Sequence, residues 1–181
     1  MKLYLLRHTE SIGNEKGTAY SIMDLGLSEK GKKDAVKLIP NLSKNSYDVF
    51  IVSPLGRTIQ TIQPFLDTIN QPMVIIEPLT IERDLGEFVG TPLGTFTKYC
   101  ENKGVDKVSC KSEKGESIKD VYRRAKRFLD LITKKYNNKS ILITGHKVFL
   151  HCLTLILTSI PVDKYYSEEQ LTNGEIKKFK I

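Results

Sequence analysis

Apolar positions follow two rhythms along the chain, and the two rhythms alternate. Short runs rich in Val, Ile, Leu and Tyr cover Lys2–Leu6, Tyr47–Val52, Met73–Ile76 and Ser140–Thr144. Each is brief and apolar at most positions, which predicts strands buried on both faces. Between them the spacing becomes helical. Ser28 can cap a helix running through Ala35, Val36, Leu38 and Ile39. A second helix covers Thr58–Ile69, with Pro64 marking a kink or a late start, because proline supplies no amide hydrogen. In the third, Ile118, Val121, Tyr122, Ala125, Phe128, Leu129 and Ile132 form one apolar stripe with Lys, Arg and Asp opposite. A fourth runs from Lys147 to about Thr158 and is apolar almost all round, so it should be buried.

Strands alternating with helices predict an α/β fold: a three-layer sandwich with a mostly parallel central sheet flanked by helices. The tail Glu175–Ile181 alternates weakly and suits an edge strand. Residues from about 80 to 116 mix Gly, Pro, Thr and Lys with only brief helical hints. They read as a short irregular excursion, a partial lid over a site. Residues 1–181 then form a single domain, a size that can bury a substantial core.

Composition narrows the function classes. With 40% hydrophobic and 27% charged residues, the chain matches folded proteins and not disordered ones. No leader-like stretch precedes the strand at Lys2, and Val148–Leu157 is too short to cross a bilayer, so no membrane partner is expected. Cys100, Cys110 and Cys152 are odd in number and irregularly spaced. They read as free thiols in a reducing compartment, which suggests a cytoplasmic protein, and they lack zinc-site spacing. The net charge of +7 suits an anionic partner. Most of the excess lies in helix-like stretches such as 30–37 and 119–135, where a solvated surface is the simpler reading, and no nucleic-acid partner is expected.

The chemistry gathers at strand ends, where open parallel sheets collect ligands. The first strand ends in Arg7-His8, the second in Ser53-Pro54-Leu55-Gly56-Arg57, and the fourth in Gly145-His146. His151, the third histidine, falls inside the apolar helix and reads as a core residue. Two guanidiniums and two imidazoles on one sheet edge make a cup for a dianion. Arginine offers paired donors matched to phosphate oxygens, and neutral imidazole is a nucleophile.

These residues bring a resemblance with them. Leu6-Arg7-His8-Thr9-Glu10-Ser11, with Asn14 behind it, resembles the signature of the histidine phosphatase superfamily, in its phosphoglycerate-mutase-like branch. Four further segments resemble the family's motifs in order: 53–58 with Gln60-Thr61, Glu82-Arg83-Asp84-Leu85-Gly86-Glu87-Phe88-Val89-Gly90, Gly115-Glu116-Ser117, and Gly145-His146. The chain departs from the pattern at Thr9, where Gly is commoner, at Asp34, at Val89, and at Lys147, where a small residue is usual. Only Lys147 is expected to reach the pocket, either as a cation beside the substrate or as a strand-end cap.

The resemblance implies a metal-independent phosphatase of phosphate monoesters that works through a phosphohistidine on His8. Arg7, Arg57, His146 and Asn14 would hold the phosphoryl oxygens, with His146 also catalytic. Glu82 would be the general acid and then the base, with Glu87 as its competitor. Arg83 either binds substrate or stays on the surface, while Glu10 and Ser11 suit turn and cap positions. No cofactor is implied, because fixed cations take a metal's place. The partner would be a phosphorylated small molecule or a phosphoprotein. Alternatives are mutase-type phosphoryl transfer, a protein phosphohistidine phosphatase, and a non-catalytic phosphate-sensing module. The short stretch 91–115, and a second His close to the chain's end, leave the site open to water and favour hydrolysis. The substrate's identity and the oligomeric state are not legible.

Overall fold

The computed structural model describes residues 1–181. A five-stranded sheet in the order β3-β2-β4-β1-β5 is built from β1 (Lys2–Arg7), β2 (Val49–Val52), β3 (Val74–Ile76), β4 (Ser140–Gly145) and β5 (Ile176–Lys180). Four strands run parallel, and β5 joins β1 antiparallel as the expected edge strand. The expected α/β sandwich is therefore the observed one. Along β1, Leu3 and Leu5 point to one face while Tyr4 and Leu6 point to the other. This alternation builds two cores from one sheet.

The larger core packs Leu3, Leu5, Ile51, Ile141 and Ile143 against Val121, Phe128, Phe149 and Leu153. The smaller sets Tyr4, Leu6, Phe50 and Leu142 against Leu42, Ile62 and Phe65. The helices behind these contacts are α1 (Ile12–Glu15), α2 (Glu29–Lys37), α3 (Ile39–Leu42), α4 (Gly56–Leu66), α5 (Thr95–Asn102), α6 (Ile118–Lys135) and α7 (Lys147–Leu157). Ser28 caps α2 and Ser117 caps α6, where Asp120 returns the bond to the Ser117 amide. The predicted first long helix divides at Leu38, just before Ile39-Pro40, because Pro40 has no amide hydrogen to continue the helical bonding. α4 begins two residues earlier than expected and runs through Pro64, which stands in its last turn, where one lost amide bond costs little continuity.

Two expectations need correction. The excursion is not wholly irregular: it holds α5, entered through Gly94 at φ 92°, a left-handed turn that favours glycine. Phe96, Tyr99 and Cys100 lie on one face of α5, and Phe88 packs its ring 4.7 Å from that of Tyr99. The cysteines are not three free thiols either. Cys100 and Cys110 are joined as a disulfide that ties α5 to the segment leading into α6, and only Cys152 is free, buried under α6. Irregular sequence spacing hid a pair whose Cα atoms the fold brings to 5.9 Å. The cysteine pattern therefore no longer points to a reducing compartment. No helix is long and apolar enough to cross a membrane.

Candidate active site

Strand register assembles the site. Arg7 pairs with Gly145 across β1 and β4, and Val52 pairs with Thr144 across β2 and β4. His8, Ser53 and His146 therefore leave the same sheet edge together. A cavity of about 270 Å³ opens there, walled by Arg7, His8, Asn14, Arg57, Glu82 and Lys147, with Tyr20, Leu93 and Phe96 on the side of the excursion.

His8 is 4% exposed, and its Nδ1 lies 2.7 Å from the Thr9 carbonyl. A carbonyl only accepts, so Nδ1 carries the hydrogen and Nε2 keeps its lone pair. Burial first, then Arg57 and Arg7, lower its pKa from 6.5 to about 3, so the ring is neutral at neutral pH. The turn beneath it is tight. Thr9 donates from Oγ1 to the Gly31 carbonyl and from its amide to Thr61 Oγ1, so the threonine fits where glycine is commoner. A Cβ on Gly31 would stand 1.9 Å from the Glu10 carbonyl oxygen, so only glycine lets α2 approach this turn.

Arg57 is held from three sides. Its Nε donates to His146 Nδ1 at 3.2 Å, Nη1 to the Met23 carbonyl and Nη2 to the Ser21 carbonyl. Each Nη keeps a second hydrogen for a ligand. Ser21 sits at φ 50°, an unusual conformation for a residue with a side chain, at the bend that delivers these carbonyls. Arg7 gives Nη1 to the Leu171 carbonyl, while its Nε is buried without a partner. Burial is the main cause lowering the pKa of both guanidiniums, so the site holds desolvated positive charge awaiting an anion.

His146 does not reach the cavity wall as expected. It is fully buried, with its ring centroid 5.3 Å from that of His8. Because Arg57 Nε can only donate, His146 Nδ1 is the acceptor, and Nε2 donates to Ser53 Oγ at 2.8 Å. Both nitrogens are taken, so in this arrangement the ring holds Arg57 in place. Burial drives its pKa well below the ordinary value.

Glu82 lines the cavity, its carboxylate accepting from the amides of Arg83 at 2.8 Å and Val148 at 3.2 Å. Glu87 is exposed, outside the cavity wall, and accepts from the Glu113 amide. Arg83 is buried and donates to the carbonyls of Glu116 and Cys110, with Phe96 stacked 4.7 Å from its guanidinium, so it braces the excursion. Asn14 accepts from Ser11 and from Asn173 at its side-chain oxygen, which leaves its NH2 group without a protein acceptor on the cavity wall. Glu10 accepts from Ser28, Ser11 caps α1, and His151 bonds the Tyr165 carbonyl in the core, all as their sequence settings suggested.

Three supporting residues were missed. Ser53 holds His146, and Asn173 donates to the His8 and Thr9 carbonyls. The third is Arg124, a cation on the flank of the apolar stripe of α6, and that misplaced charge was its signal. It donates five hydrogen bonds: two to the Glu116 carboxylate, and one each to the carbonyls of Leu79, Ile81 and Glu82. It therefore clamps the segment that carries Glu82. Arg124→Met should strand the Glu116 carboxylate and cost about 3 kcal/mol of stability, read from urea unfolding. A loss below about 0.5 kcal/mol would show the clamp to be idle.

The buried neutral rings also set an acid response. The unfolded chain takes up protons below about 6.5, whereas His8 in the fold resists them until about 3. The stability contributed by the neutral ring is therefore complete above the upper value and is lost as pH falls toward the lower one. His8→Gln should flatten the fall in melting temperature across that window. Nitrogen NMR should show His8 still neutral, with its hydrogen on Nδ1, at about pH 5.

Comparison with known proteins agrees with this geometry. The profile of the histidine phosphatase superfamily (branch 1) matches residues 3–181. Phosphoserine phosphatase 1 of Hydrogenobacter thermophilus is 33% identical over 171 residues, covering 92% of this chain and 81% of that protein. A probable phosphoglycerate mutase, GpmB, of Yersinia pestis is 26% identical, covering 89% and 76%. A solved mycobacterial glucosyl-3-phosphoglycerate phosphatase superposes with a TM-score of 0.84 at 19% identity, covering 98% and 88%. A match across nearly the whole length, on a sheet edge that gathers Arg7, His8, Arg57 and His146, places the chain in the histidine phosphatase superfamily, branch 1.

Proposed function

We propose that this protein is a phosphoric monoester hydrolase acting on a phosphorylated small molecule through a phosphohistidine at His8. The neutral His8 ring, with Nε2 bare at the cavity and Nδ1 locked to Thr9, carries the reading. Arg7 and Arg57 hold the nonbridging oxygens, with the Asn14 amide beside them, and neutralise charge as the phosphoryl group moves. His8 Nε2 attacks phosphorus, the ester P–O bond breaks, and Glu82 gives its proton to the leaving oxygen. Water then attacks the phosphohistidine, Glu82 takes back a proton, and the P–N pair returns to Nε2. Inorganic phosphate leaves and His8 is restored. His146 serves through Arg57. The cavity volume suits a metabolite better than a protein segment.

Relatives named as phosphoserine phosphatase and glucosyl-3-phosphoglycerate phosphatase support hydrolysis. The relative named as a probable phosphoglycerate mutase keeps transfer as the second reading. Phosphate release from a panel of phosphorylated metabolites, run beside phosphorus NMR of 3-phosphoglycerate, separates them. Free phosphate is expected. Accumulation of 2-phosphoglycerate without phosphate would make the protein a mutase. No turnover with retained phosphate binding would make it a sensor.

A further inference from the structure

Four cations line the cavity: Arg7, Arg57, Arg83 and Lys147. Glu82 is the one carboxylate among the lining residues. An incoming phosphate dianion is matched by Arg7 and Arg57, which leaves Arg83 and Lys147. Three of the four cations have protein partners. Arg7 and Arg57 are anchored to carbonyls around the phosphate cup, and Arg83 is committed to two carbonyls and the Phe96 ring. Lys147 has neither a hydrogen bond nor an ion pair with the protein. It opens α7 directly after His146, on the wall that also bears Val148 and Glu82 and across from Leu93 and Phe96. Burial, then Arg7, pushes its ammonium below the ordinary lysine range, while Glu82 pushes it up. Lys147 is exposed at the cavity's rim, and an ammonium without a protein partner gains when an anion arrives.

We propose that Lys147 binds a carboxylate on the substrate, so that the preferred substrates are short phosphate monoesters bearing one carboxylate. The proposal rests on the phosphatase reading. A single unpartnered ammonium matches a carboxylate and not a second phosphate dianion. Lysine serves here as a mobile point charge at the rim. The volume of about 270 Å³ admits a three-carbon acid beside the phosphate cup.

The test uses matched pairs that differ at the carboxylate: O-phosphoserine against O-phosphoethanolamine, and 3-phosphoglycerate against glycerol 3-phosphate. Wild type should favour the carboxylated member of at least one pair by about tenfold or more in kcat/KM, mainly through KM. Lys147→Met should bring that ratio close to one, and Lys147→Arg should keep most of it. Two results overturn the proposal: no preference in either pair for wild type, or a preference that survives Lys147→Met while both members slow together. Hydrolysis of p-nitrophenyl phosphate by wild type is the control. Its absence would defeat the phosphatase reading, whereas its presence with no carboxylate preference defeats only the role of Lys147.

Discussion

His8→Ala should lower phosphate release by at least about 10⁴-fold on every monoester tested, with the fold intact by circular dichroism. The size follows from what is left behind. The bare Nε2 of His8 is the one ring nitrogen the cavity presents. His146 cannot replace it, because Arg57 and Ser53 occupy both its nitrogens and the ring is fully buried. The two arginines remain and should still bind phosphate, so the variant becomes a binding protein and not an inert one. Measured phosphate affinity within about tenfold of wild type, with turnover lost, is the expected pair of results. Turnover that survives the substitution would mean that water attacks directly and that the ring only positions substrate.

Glu82→Gln should be the second largest loss, and it should depend on the leaving group. Glutamine keeps an oxygen that can accept from the Val148 amide, so the local structure holds while the transferable proton is gone. Alkyl phosphates release a basic alkoxide and should slow by about 10²- to 10⁴-fold. 2,4-Dinitrophenyl phosphate releases a stable anion that needs no proton, and the first step on it should change by less than about tenfold. An equal loss on both substrates would move the acid role elsewhere. Glu87 is the candidate the sequence offered, but it is exposed and bonded to the Glu113 amide away from the cavity, so Glu87→Gln should leave both rates near wild type.

The parts of this protein that were legible in its sequence are those governed by short-range rules. The strands at Lys2 and Ser140 are apolar on every face they bury, and β1 and β4 were predicted to within a residue. The α6 stripe was plain because a long helix repeats its signal over many turns. Arg7, His8, Arg57 and His146 stood out because strand ends bearing charge are rare in a buried parallel sheet, and the register then brings them together. What stayed hidden depends on distant segments meeting. The Cys100–Cys110 bond needs the fold of the excursion, and α5 is short, with an apolar face of three residues that gains stability from distant partners, Phe88, Arg83 and Cys110. The inward turn of His146 toward Arg57 and Ser53 is likewise a matter of which acceptor lies nearest, and no spacing in the sequence encodes it.

The covalent step is best tested by stereochemistry at phosphorus, which does not need the intermediate to accumulate. The phosphoryl group of a monoester made chiral with three oxygen isotopes should pass to an acceptor alcohol with net retention. Attack by His8 inverts the phosphorus once, and the second displacement inverts it again. Net inversion would mean a single direct displacement, and it would contradict the claim that the His8 ring ever carries the phosphoryl group.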